Sequence, residues 1–134
     1  MERNWSEVRA EVKDFVENEV YPAEAVLEQR NEESTQKLSE LMQLAKDRNL
    51  WALGHPKDIG GQGMPFMEYV YVNEVVGRSS PSMVALGTHS LQDSIMLREF
   101  ASKTWRDAYL APLVAGEIFP SFAMTEPDVS RSDP

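Results

Sequence analysis

Trp5, Val8, Val12, Phe15, Val16 and Val20 recur at spacings of three and four residues. That period places all six on one face of an amphipathic helix and excludes a strand, whose faces alternate every second residue. The same period returns several times, so the chain predicts an all-α bundle of about five helices. Asn4 followed by Glu7 has the spacing of a capping box at the start of the first helix. Tyr21-Pro22 predicts its end or a kink, because proline lacks an amide donor and restricts the residue before it. Ser34 is the expected cap of a second helix, with Leu38, Leu41, Met42 and Ala45 as its stripe, running to about Arg48.

Punctuation then sets the later boundaries. Gly54 to Gly63, through His55-Pro56-Lys57-Asp58-Ile59-Gly60-Gly61-Gln62, is a loop rich in turn formers. Pro65 suits the first turn of a third helix carrying Phe66, Tyr69, Val70 and Val75 to about Arg78. Ser80-Pro81 opens a fourth helical stretch through Met83, Leu86, Ser90, Ile95 and Leu97, apolar around much of its girth and therefore expected near the centre of the bundle. Ser102 caps a fifth helix with Trp105, Tyr109 and Leu113, ending near Gly116. Ile118 to Met124 predicts a short extended segment, followed by a polar tail. No repeat or linker is visible, so residues 1–134 form one helical unit.

Charge and composition narrow the function classes. Thirteen basic residues against 22 acidic ones give a net charge of -9. Residues 1–33 hold ten of the acids and four of the bases, and this surplus speaks against a nucleic-acid partner, which needs a basic face. With no cysteine, thiolate metal sites and disulfides are excluded. His55 and His89 have no companions at metal-ligand spacing, so no metal site is expected. No apolar run reaches the ~20 residues of a membrane span and no signal-type stretch opens the chain; a soluble, cytoplasmic protein is the expectation.

Two local patterns admit chemistry without demanding it. His89, Ser90 and Asp93 lie within one helical turn, but neighbouring helical residues point to different faces, so a nucleophilic triad competes with a buried, satisfied histidine. Gly60-Gly61-Gln62-Gly63 is either a phosphate cradle of backbone amides or a tight turn that needs positive backbone angles.

The most informative segment is Phe122-Ala123-Met124-Thr125-Glu126-Pro127-Asp128-Val129-Ser130-Arg131-Ser132-Asp133. It resembles the flavin-contacting signature of the acyl-CoA dehydrogenase family, an aromatic, two small or apolar residues, Thr-Glu-Pro and a turn ending in Ser-Asp. Trp51-Ala52-Leu53 through Gly63, Glu74 to Arg78, and Tyr109 to Glu117 resemble family elements in the same order, so the resemblance runs from about Val8 onward. Asp128-Val129-Ser130-Arg131 departs from the usual Gly-Ala-Gly turn and leaves the acyl chain length open.

The resemblance implies FAD as cofactor and oxidation of the α,β bond of an acyl-CoA thioester. A carboxylate takes the α-proton, the β-hydrogen leaves as hydride, and an electron-transferring flavoprotein reoxidises the cofactor. By analogy Phe122, Met124, Thr125, Ser130 and Ser132 bind the cofactor, and Ser132 also meets the substrate. The helix from Leu86 to Asp93 contributes a wall of the acyl pocket. The catalytic base belongs to a C-terminal helical domain that, like the middle β-domain, lies beyond Pro134, so no catalytic residue is expected here. The chain is thus expected to be an N-terminal domain, silent on its own, of a homo-oligomeric enzyme. A helical interaction or dimerisation module, an acyl-CoA oxidase and a flavin monooxygenase are the alternatives.

Overall fold

A computed structural model describes residues 3–121, and among these the regular structure is helical, with no strand. The helices are α1 (Trp5–Phe15), α2 (Tyr21–Leu27), α3 (Glu32–Asp47), α4 (Phe66–Val76), α5 (Ser80–Ala85), α6 (Leu91–Phe100) and α7 (Lys103–Ala115). The expected all-α architecture is present. α1 packs on α4, α2 on α3, α3 on α5 and α6 on α7. No helix among the described residues is long and apolar enough to cross a membrane.

The first apolar stripe forms the centre of the core. Val8, Val12, Phe15, Val16 and Val20 are all buried, and Trp5 packs against them. Asn4 caps α1 by accepting from the Ser6 amide at 3.2 Å, while its side-chain amide donates to Glu7 at 2.7 Å.

Of the two outcomes expected at Tyr21-Pro22, an end of the helix does not occur. Helical backbone continues through a π turn at Val16–Val20 directly into α2, where Pro22 occupies the first turn. A proline ring clashes with the carbonyl four residues back in a regular α-helix. The wider turn, in which the Tyr21 amide donates to the Val16 carbonyl, takes up the proline without ending the helix.

The cap of α3 is also displaced from its expected place. Asn31, three residues before Ser34, accepts from the Ser34 amide at 2.9 Å. Ser34 turns its hydroxyl back to the Asn31 carbonyl at 2.7 Å. Leu41, Met42 and Ala45 are buried as the stripe predicts.

α4 buries part of the predicted face: Val75 is in the core and Tyr69 packs against it. Val72, Val75 and Val76 are buried, whereas Phe66 and Val70 face outward. The fourth stretch is two helices, because Gly87 takes a left-handed conformation (φ 70°) and a 3₁₀ turn at Thr88–Ser90 redirects the chain. Its second half is not central: Ile95, Met96 and Phe100 are exposed, and Ser94 is the buried residue of α6. α7 begins at the predicted Ser102 cap, carries Pro112 inside its last turn, and ends at Gly116 in the left-handed region.

Candidate functional site

Everything that leads toward the Thr-Glu-Pro segment hangs on Trp51. A Cβ at Gly87 would lie 2.7 Å from the Trp51 ring, and one at Gly116 would lie 2.6 Å from it. The indole is therefore seated against the bare backbone of both glycines. Its Nε1–H donates to the Val114 carbonyl at 2.8 Å, and Lys46 sits 4.8 Å above its ring while donating to the Ala115 carbonyl at 2.8 Å. The left-handed turn at Gly116 is closed by the Glu117 amide, which donates to the Pro112 carbonyl at 2.9 Å. These contacts direct the chain from α7 into Ile118–Ser121.

That stretch closes one side of a groove of about 480 Å³ between α6 and α7, lined by Asp93, Leu97, Phe100, Trp105, Tyr109 and Phe119 among others. Trp105 and Tyr109, one turn apart on α7, hold their rings 5.0 Å apart. Arg98 fixes the base of α6 by donating to Asp58 at 2.7 Å, and Arg106 donates to the Arg98 carbonyl at 3.1 Å. The five residues expected to contact the cofactor, Phe122, Met124, Thr125, Ser130 and Ser132, lie outside the described residues. Their donor set is nonetheless suited in kind to a flavin dinucleotide, since hydroxyls and backbone amides serve a polar ring edge and phosphates without added charge.

The proposed trio of His89, Ser90 and Asp93 is not assembled. Ser90 is fully buried and directs its hydroxyl away from His89, donating to the Gly87 carbonyl at 3.3 Å. The same oxygen lies 3.1 Å from Nε2 of His55, so the two buried side chains share a hydrogen bond. His55, read from sequence as a loop residue without companions, is thus the buried histidine, at 1% exposure. Its Nδ1 has no partner among the described residues, and burial lowers its pKa to about 4, with nearby His89 pushing the same way. His89 is half-buried instead, with Nδ1 3.3 Å from the Met83 carbonyl and its ring 5.5 Å from Phe119.

The glycine loop resolves as a turn. Gly60 and Gly63 have φ of 100° and 64°. The amides of Gly60, Gly61, Gln62 and Gly63 donate to the carbonyls of Lys57, Pro56, Ala52 and His55, so none is turned outward for a phosphate. A Cβ on Gly61 would fall 2.2 Å from the His55 carbonyl oxygen, which explains the bare backbone there. The loop wraps His55 and anchors it to the 3₁₀ turn below α6. Among the described residues no group of three or more His, Asp or Glu is placed to hold a metal ion.

Sequence reasoning missed the His55–Ser90 bond and the position of Asp93 in the groove wall. Ser90 and Ser94, four apart on a buried helical face, were the available sign that this face is polar inside.

Comparison with known proteins agrees with this architecture. Residues 4–117 match the family model described as acyl-CoA dehydrogenase, N-terminal domain. The chain is 29% identical over 142 aligned residues to human acyl-CoA dehydrogenase family member 11, covering 98% of this chain and 18% of that protein. It is 31% identical over 132 residues to mouse acyl-CoA dehydrogenase family member 10, covering 89% and 12%. A solved structure from Mycobacterium abscessus, assigned as an acyl-CoA dehydrogenase, superimposes with a TM-score of 0.81 at 28% identity over 96% of this chain and 36% of its own. The chain spans about a fifth of the length of the first of these relatives.

Proposed function

The chain belongs to the acyl-CoA dehydrogenase family as its N-terminal domain, and from that premise we propose that it serves a FAD-dependent enzyme oxidising the α,β bond of an acyl-CoA thioester. The observation that carries this reading is the Trp51-anchored exit of α7, which leads Ile118–Ser121 along an aromatic groove immediately before the Thr-Glu-Pro segment. An apolar groove with few polar groups suits an acyl tail.

In this reading the chain's own residues bind and orient rather than transform. Phe122, Met124 and Thr125 hold the cofactor ring, Ser130 and Ser132 its phosphates, and Ser132 also meets the thioester. α6 and α7 wall the acyl tail and exclude water from it. FAD, when bound, supplies the hydride acceptor. The base that takes the α-proton belongs to another part of the enzyme, and the reduced protein passes its electrons to an electron-transferring flavoprotein. A homo-oligomer working in the cytoplasm is part of the same proposal.

The test is a comparison of the 134-residue chain with the longest continuous polypeptide that contains it. The longer protein is expected to purify yellow and to bleach anaerobically on addition of an acyl-CoA, and the short chain to do neither. A longer protein that stays colourless after incubation with FAD, or that binds FAD and ignores every acyl-CoA, overturns the reading. The exposed Met96, Phe100 and Trp105 favour a second reading, a helical interaction module. That reading predicts a colourless dimer by size exclusion.

A further inference from the structure

The α6–α7 groove has an uneven chemistry. Four of its lining residues are aromatic, and Phe100, Trp105, Tyr109 and Phe119 remain 83%, 59%, 44% and 56% exposed. Such a cluster of open rings on one surface calls for an occupant. Among the described residues neither lysine nor arginine lines the groove, and Asp93 is its one carboxylate. The Oδ2 atom of Asp93 is shut off from solvent and has no hydrogen-bond partner among the described residues.

His89, the nearest other titratable group, sits in the 3₁₀ turn before α6 and lines a separate cleft with Tyr69 and Met83. With the His89 Nδ1 beside the Met83 carbonyl, the ring proton belongs on Nδ1, leaving Nε2 as a lone pair. That lone pair is likewise closed to solvent and without a partner among the described residues. Burial also holds the His89 pKa below its ordinary value, so near neutral pH this ring is not a counter-ion for Asp93.

One orphaned acceptor in the groove, its negative charge and several π faces specify their complement. Aromatic faces attract cations, and a carboxylate withdrawn from water needs a charged donor. We propose that the α6–α7 groove binds an alkylammonium group, with Asp93 as its counter-ion and the rings of Phe100, Trp105, Tyr109 and Phe119 around its stem. Resting on the acyl-CoA reading of this site, the substrate class is an acyl thioester whose tail carries an amino group.

Three probes of equal length separate charge from hydrophobicity on the 134-residue chain: hexylammonium, hexan-1-ol and hexanoate. Titration followed by the indole NMR signal of Trp105 is expected to show hexylammonium binding at least about tenfold more tightly than hexan-1-ol, the scale of a charge-assisted hydrogen bond. Asp93→Asn should erase that preference and leave hexan-1-ol unchanged; Trp105→Leu, read from another groove residue, should weaken both. Equal binding of the ammonium and the alcohol overturns the charge assignment. Absence of saturable binding by all three overturns the groove as a site.

The longer holoenzyme then distinguishes this proposal from the one it rests on. A preference for 6-aminohexanoyl-CoA over hexanoyl-CoA in kcat/KM, lost in Asp93→Asn, supports both. Turnover of hexanoyl-CoA without that preference refutes the ammonium proposal and leaves the dehydrogenase reading standing. Turnover of no acyl-CoA refutes the dehydrogenase reading, whatever the probes show on the chain itself.

Discussion

Acid should destabilise this domain through His55 before most carboxylates matter. The imidazole is 1% exposed, its Nε2 is hydrogen-bonded with the Ser90 hydroxyl, and its pKa in the folded chain is lowered to about 4 from an ordinary 6.5. Because the folded value lies below the unfolded one, the unfolded chain takes up the proton first as pH falls. Stability is therefore complete above the ordinary histidine value and is lost through the window from about 6.5 down to about 4. A shift of this size corresponds to roughly 3 kcal/mol in full, of which about 2 kcal/mol is lost by about pH 5. That is a large share of the ~5 to 15 kcal/mol that holds a typical domain together.

The assay is urea unfolding by circular dichroism at neutral pH and at about pH 5, on the native chain and on His55→Gln. Glutamine does not titrate, so the variant removes the His55 contribution together with its coupling to His89 and keeps the carboxylates. With a urea slope of ~1 to 3 kcal/mol/M, the native midpoint should fall by about 1 M more than that of the variant. Identical pH dependence in both proteins, or an NMR titration of His55 near its ordinary value, would refute the burial account. A low starting stability of His55→Gln would not, because the comparison is between slopes.

Other expectations rest on packing and backbone geometry. Gly87→Ala and Gly116→Ala should each destabilise by about 1 to 3 kcal/mol in thermal or chemical unfolding, since each adds a methyl against Trp51 at positive φ. Either result within experimental error of the native chain would contradict the position of the indole. Phe15→Ala, which empties a fully buried aromatic site, should cost about 3 to 5 kcal/mol in the same measurement. Asn31→Ala should lower stability by about 1 kcal/mol. Ser34→Ala should cost less, because the amide at position 34 keeps its Asn31 acceptor; a larger loss at Ser34 would restore the serine as the cap.

Much of the fold was legible because helix formation is local. The stripe from Trp5 to Val20 and the boundaries at Ser102 and Gly116 follow from spacing and capping chemistry within a few residues of each position. The errors arise where two local solutions were open and distant contacts chose between them. Pro22 either ends a helix or sits after a widened turn, and the burial of Val16 and Val20 on the same face holds the continuous form. Asn31 and Ser34 are both good caps. Asn31, directly after Arg30 in the left-handed region at φ 51°, is the one that caps.

The candidate site divides along the same line. The order of residues from Trp51 to Gly63 and the Thr-Glu-Pro segment carry the family resemblance on the linear chain alone. The sequence by itself also determined the helical class, the acidic balance and the absence of cysteine chemistry. Tertiary structure alone decided that Ser90 serves His55 rather than His89, across 35 residues of chain. It alone seated Trp51 against Gly87 and Gly116, and turned Asp93 into a groove bounded by α7. Periodicity states which residues share a helical face, but which partner that face meets depends on how separate helices pack, and a hydrogen bond forms only between groups that packing brings within about 3 Å.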